Sequence, residues 1–210
     1  MKIWDIAIRL FHWTLVVAFI MAAYSAFQDK FGIYADMHTY AGVTILILMV
    51  WRILWGLVGS ETARFSSFVR GPKAIMGYLK HGDTAKCAGH NPLGALSVVA
   101  MILLLLAQAV MGLFATDDMF FSGPLNGEAG SWAGTLTRLH KQLGLVLIGL
   151  ASFHVLAVLY YTLIKKAGIL RAMITGTKAE AKKAPRMASA WLALGILVPV
   201  ASILWFAILG

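Results

Sequence analysis

Four histidines stand within or at the ends of apolar stretches of this chain: His12, His38, His140 and His154. An imidazole is costly inside hydrocarbon unless something satisfies it, so histidines at membrane depth usually face a functional interior. His140 and His154 share one apolar run, Leu139 to Tyr161, and are fourteen residues apart. On a helix that spacing separates them by about 21 Å and leaves them about 40° from alignment on one face. The pattern suggests two stacked sites, each needing a second ligand from another helix. A neutral imidazole on either side of an iron, supplied by facing helices of a bundle, is the chemistry of a bis-histidine haem.

The elements that must position these residues are membrane spans. The chain has 210 residues, 60% hydrophobic and 13% charged, whereas a soluble domain is nearer half apolar and a quarter charged. Five apolar segments reach the roughly 20 residues needed to cross a bilayer. They lie near 6–26, 38–58, 92–115, 140–162 and 188–209. Asp5 stands where an N-cap would start the first, Pro92 falls in the first turn of the third, and Pro199 predicts a kink in the fifth. The start of the chain imitates a secretory signal, but Ile6 to Ala26 is long enough to span, and cleavage would discard His12.

Charge then orients the spans. The loop between spans two and three carries Arg64, Arg70, Lys73, Lys80 and Lys86. The loop between spans four and five carries Lys165, Lys166, Arg171, Lys178, Lys182, Lys183 and Arg186. The remaining loops hold mainly Asp29, Asp36, Asp117, Asp118 and Glu128, with Lys30 and Arg138 as their basic residues. The positive-inside rule predicts a cytoplasmic N-terminus and a C-terminus on the outside. The same distribution accounts for the net charge of +9 without nucleic acid. Gly71 to His81 reads as a short surface helix starting at Pro72, and Thr116 to Thr137 as a loop folded over the outer face.

This topology sorts the histidines into two levels, His12 with His154 inside and His38 with His140 outside. Four histidines merely hydrogen-bonded in the bundle or at its ends are the plainer alternative. Arg9 lies three residues before His12 and Arg52 fourteen after His38, so both could pair with the propionates of an inner haem. Snorkelling arginines would give the same pattern. Arg138 and Lys141 flank His140 and could serve an outer haem, or simply end a helix. Gly42, Gly144, Ala151 and Ala157 sit a turn from the histidines, where small residues admit a flat macrocycle or simply pack helices. Gln108 is a lone polar group on span three that bridges helices or touches a quinone. His81 and His90 read as solvent or interface histidines. The one cysteine, Cys87, and the lack of a C-x-x-C-H run mean that any haem is held non-covalently, as haem b.

Several runs carry a resemblance. They are Trp4-Asp5-x3-Arg9-x2-His12-Trp13, Met37-His38 leading into Tyr40-Ala41-Gly42, and Arg52-x2-Trp55-Gly56. Further ones are Ala63-Arg64-Phe65-Ser66-Ser67-Phe68, Gly89-His90-Asn91-Pro92-Leu93-Gly94, Gly112-Leu113-Phe114-Ala115-x-Asp117-Asp118 and Phe153-His154-x5-Tyr160-Tyr161. In these the chain resembles the bacterial dihaem cytochrome b family that includes the b-type subunit of nickel–iron hydrogenases. The resemblance implies an all-α integral membrane protein. Residues 1–171 would form a four-helix bundle with two non-covalent b haems and histidine ligands from spans one, two and four. Residues 172–210 would add a basic cytoplasmic linker and a fifth transmembrane helix. It further implies electron transfer across the bacterial inner membrane between the quinone pool and a periplasmic partner such as a c-type cytochrome or a dehydrogenase. One alternative is a superoxide:quinone oxidoreductase acting at the outer haem, with Arg138, Lys141 and Lys30 drawing in the anion. A remote alternative is a metal-ion permease using the same histidines.

Overall fold

Asp5 starts the first helix as the sequence predicts. Its carboxylate accepts from the Ile8 N–H at 2.7 Å and closes the exposed amides of α1, Ile6–Ala26. The computed structural model describes residues 1–29, 31–69, 71–81, 92–177 and 184–210. Lys30, Arg70, Lys86, Cys87, Gly89, His90, Asn91, Lys178, Lys182 and Lys183 lie outside the described residues, as does the side chain of His81. The regular elements of the described chain are helices, with α2 at Ile33–Val58, α3 at Phe65–Phe68, α4 at Pro72–His81 and α5 at Pro92–Leu113. After these come α6 at Ala133–Leu159, α7 at Ile169–Thr175 and α8 at Ala190–Leu209. Among the described residues the β structure is two isolated bridges, Lys2 with Thr177 and Thr116 with Ser122. Among the described residues five helices are long and apolar enough to cross a membrane: α1, α2, α5, α6 and α8.

Two spans start earlier than their hydropathy suggests, α2 at Ile33 rather than 38 and α6 at Ala133 rather than 140. The cause is local. Polar first turns continue each helix beyond its apolar stretch, and in α6 Thr137 donates back to the Ala133 carbonyl at 2.8 Å. His38 and His140 are therefore one to two turns inside their helices. At its other end α6 widens into a π-type turn over Tyr160–Ile164. α8 runs through Pro199 as one helix, and the short helix expected after Gly71 is α4, with Pro72 as its first residue.

α2 is the central element and packs on α1, α5 and α8, while α6 packs on α5. Among the described residues α6 has no comparable interface with α1 or α2. The core lies along α2, where Val43, Met49 and Trp55 are fully buried, and Leu147 of α6 joins it. Aromatic rings continue it toward the amino-terminal end: Phe11 stacks on Trp51, and Trp51 on Trp55, each at 5.5 Å. There the chain ties itself together. The Ile3 and Trp4 amides donate to the Gly176 carbonyl at 2.7 and 3.2 Å, and Thr62 Oγ1 donates to the Ile3 carbonyl at 2.7 Å.

Candidate functional site

The cleft between α1–α2 and α6 brings His38 and His140 together, with His12 and His154 toward its other end. At the end of the bundle away from the amino terminus, His38 and His140 face each other across it. Their ring centroids are 6.0 Å apart and their planes are nearly perpendicular, at 82°. His38 Nδ1 is 2.9 Å from the Ala22 carbonyl and 3.1 Å from Ser25 Oγ. His140 Nδ1 is 3.0 Å from the Gln108 carbonyl. A ring that donates Nδ1–H to a carbonyl keeps its lone pair on Nε2, the tautomer a metal ligand needs. Gln108 also reaches His140 through its side-chain amide, 3.3 Å from Nε2. Phe121 closes one side, its ring edge-to-face with His38 at 6.1 Å.

These rings line a cavity of about 400 Å³ whose walls include Ala22, Gly42, Gly112 and Gly144, a volume within the ordinary range of small-molecule sites. Gly42 has open space where a Cβ would stand. A Cβ at Gly144 would be 3.2 Å from the Gln108 amide nitrogen, and one at Gly112 would press the His140 ring. Lys141 lines the cavity together with Asp29 and Asp117, whereas Arg138 is exposed on α6 outside it.

The second pair is at the amino-terminal end. His12 on α1 and His154 on α6 are half-buried and close enough to interact electrostatically. His12 Nδ1 is buried with no hydrogen-bond partner among the described residues. Arg9, on the same face of α1, donates to the Ile174 carbonyl and keeps its Nε buried and unpartnered. Arg52 is 3% exposed. One of its nitrogens donates to the Ala63 carbonyl at 3.1 Å, the guanidinium lies 5.0 Å from the Phe65 ring centre, and Nη1 is unpartnered. Asp5, also buried, supplies the countercharge and accepts from Trp55 Nε1 at 3.3 Å.

The residues present fit a bis-histidine haem on several counts. The two imidazoles of one pair face each other, both Nδ1 atoms are already bound, and glycines and alanines line the walls. Among the described residues no three His, Cys, Asp or Glu side chains gather as a chelated metal ion would require. A haem needs just two protein ligands.

Sequence reasoning missed Ser25, the Ala22 and Gln108 carbonyls, Phe121 and the burial of Asp5 near Arg52. A serine within an apolar span was the one visible signal for the first. The carbonyls left none, because any backbone position can accept a bond.

No curated protein and no solved structure matches the chain. The family described as prokaryotic cytochrome b561 matches residues 3–176. A helical membrane bundle with facing histidines over most of that match is the architecture such a cytochrome requires. The chain therefore belongs to the prokaryotic cytochrome b561 family, bacterial membrane proteins that transfer electrons across the bilayer through haem b.

Proposed function

We propose that this protein carries electrons across the bacterial inner membrane through two b haems. One would be held by His38 and His140, the other by His12 and His154. The amino terminus would be cytoplasmic, with a quinone as redox partner at one face and a periplasmic c-type cytochrome or dehydrogenase at the other. The observation that carries the reading is the His38–His140 pair, facing across the cleft with both Nδ1 atoms against acceptors. Supporting the second site are the unpartnered nitrogens of His12, Arg9 and Arg52 at the other level.

Bound haem iron supplies a one-electron carrier. The chain does the rest. His38 and His140 present neutral nitrogens held by backbone carbonyls, the glycines of α2, α5 and α6 keep the cleft open to a flat ring, and the apolar walls exclude water. Arg9 and Arg52 offer charge for propionates at the inner level, and Lys141 does so at the outer. Superoxide chemistry is the less favoured reading, because Asp29 and Asp117 share the cavity with Lys141 and oppose an anion funnel.

A pyridine haemochrome assay with a redox titration on detergent-purified protein tests the proposal. Two b haems per chain with separable potentials are expected. One haem would remove one histidine pair from the reading, and none would remove both.

A further inference from the structure

The two histidine pairs differ in what holds their non-ligating nitrogens. At the His38–His140 pair, Nδ1 of each ring meets a backbone carbonyl, and His38 has Ser25 Oγ as well. Ser25 is buried, and its hydroxyl can donate to the Met21 carbonyl at 2.8 Å. That leaves an oxygen lone pair free to accept from His38 Nδ1–H. At the His12–His154 pair, Nδ1 of His12 is buried and unpartnered among the described residues.

This asymmetry has an electronic consequence. A hydrogen bond from Nδ1–H to an acceptor raises the basicity of the opposite nitrogen. A more basic ligand favours ferric over ferrous iron, and hydrogen bonding around the ligands is one lever by which a protein sets a haem potential. Fixed charge acts in the same direction. Asp29 and Asp117 outnumber Lys141 around the outer cavity, whereas Arg9 and Arg52 outnumber Asp5 at the inner level. Surplus negative charge stabilises the oxidised, more positive haem, and surplus positive charge the reduced one.

Building on the two-haem reading above, we infer that the haem held by His38 and His140 has the lower potential of the two, and that Ser25 is a positioning residue that keeps His38 a strong donor. Electrons then run downhill from the cavity end of the bundle to the amino-terminal end. In the proposed orientation that direction is inward, from a periplasmic donor toward an acceptor at the cytoplasmic level.

The test is a haem count followed by potentiometric titration of the full-length protein, wild type and variants, in detergent. The count comes first, and fewer than two haems per wild-type chain would remove the underlying two-haem reading and this inference with it. With two haems present, His12→Ala is expected to retain one haem that titrates with the lower wild-type step. Should that variant fail to fold, His154→Ala makes the same assignment. Ser25→Ala is expected to keep both haems, raise the lower step and leave the upper one in place, while Ser25→Thr restores the wild-type lower step. A retained haem that titrates with the upper step overturns the inference while leaving the two-haem reading intact. So does a Ser25→Ala protein whose lower step fails to rise.

Discussion

Gly112 of α5 lies so close beneath His140 of α6 that a Cβ at position 112 would stand 2.8 Å from the ring carbon Cε1. Real Cβ atoms essentially never make so short a contact, so in Gly112→Ala the His140 ring must give way and its Nδ1 bond to the Gln108 carbonyl is strained. Disturbing the hydrogen bond behind a metal ligand typically costs 10–100-fold in affinity for the bound metal. The expected outcome is loss of one haem per chain at the usual protein yield, read by haemochrome assay. Full retention of both haems would show that His140 needs no such seat.

The pairing by depth makes a separable prediction. His12→Ala or His154→Ala should remove one haem and spare the other, and His38→Ala or His140→Ala should do the converse. Haem content then falls from two to one per chain in each case. Loss of both haems from a folded single variant would contradict the two-level arrangement.

Asp5 caps α1 and accepts from Trp55 on α2, so it holds two helices and offsets the buried Arg52 charge. Asp5→Ala should cost about 1–2 kcal/mol through the cap alone. For a chain of this size each kcal/mol lowers Tm by about 2–4 °C. Thermal unfolding in detergent followed by circular dichroism checks this, and an unchanged Tm would mean that the cap is dispensable.

Asp117 anchors the loop between α5 and α6. The N–H groups of Phe121, Met119 and Phe120 donate to its Oδ1 at 2.8, 3.0 and 2.8 Å, and they hold its carboxyl below the usual carboxylate range. A carboxylate depressed in the folded state stabilises above its unfolded pKa of about 3.9 and loses that contribution as pH falls further. The protection of the Met119, Phe120 and Phe121 amides, taken relative to the intrinsic exchange rate at each pH, should therefore be high at neutral pH and fall below about pH 4. Asp117→Ala should abolish the difference. Equal protection in the variant and the wild type would show that the loop is held by other contacts.

Electrostatic docking is open to the same kind of check. Asp117, Asp118 and Glu128 stand on the loop between α5 and α6, where the proposed basic redox partner would find opposite charge. Electron transfer to such a partner should slow steeply between low and physiological ionic strength, because exposed charges are screened beyond about 8–10 Å. A flat salt response would count against this surface as the docking face.

Much of this architecture was legible in the sequence because it is written in side-chain type. The five spans follow from apolar runs, and the two histidine levels from spacing along α6 combined with span direction. What escaped is written in the backbone. The early starts of α2 and α6 depend on polar turns that hydropathy does not register. The acceptors for His38 and His140 are carbonyls of Ala22 and Gln108, and a carbonyl has no letter of its own. Arg52 was legible as a cation level with His12 and His154, but its seat over the Phe65 ring and its buried neighbour Asp5 required the fold to bring residues 5, 52 and 65 together.

The bond from the Ile3 amide to the Gly176 carbonyl joins the first and last residues of the family match. The bundle that carries all four histidines is thus a loop closed on itself, with its two ends touching at one face. Chain ends held this close are the circumstance in which circular permutation and terminal additions are tolerated. α8 lies beyond that closure and packs on α2, a helix the bundle already holds between α1 and α5. The fifth helix is nonetheless stitched into the bundle: the Trp51 indole donates to its Ala193 carbonyl at 3.1 Å and Tyr40 stacks on its Trp205, so shedding it would bare one whole side of α2.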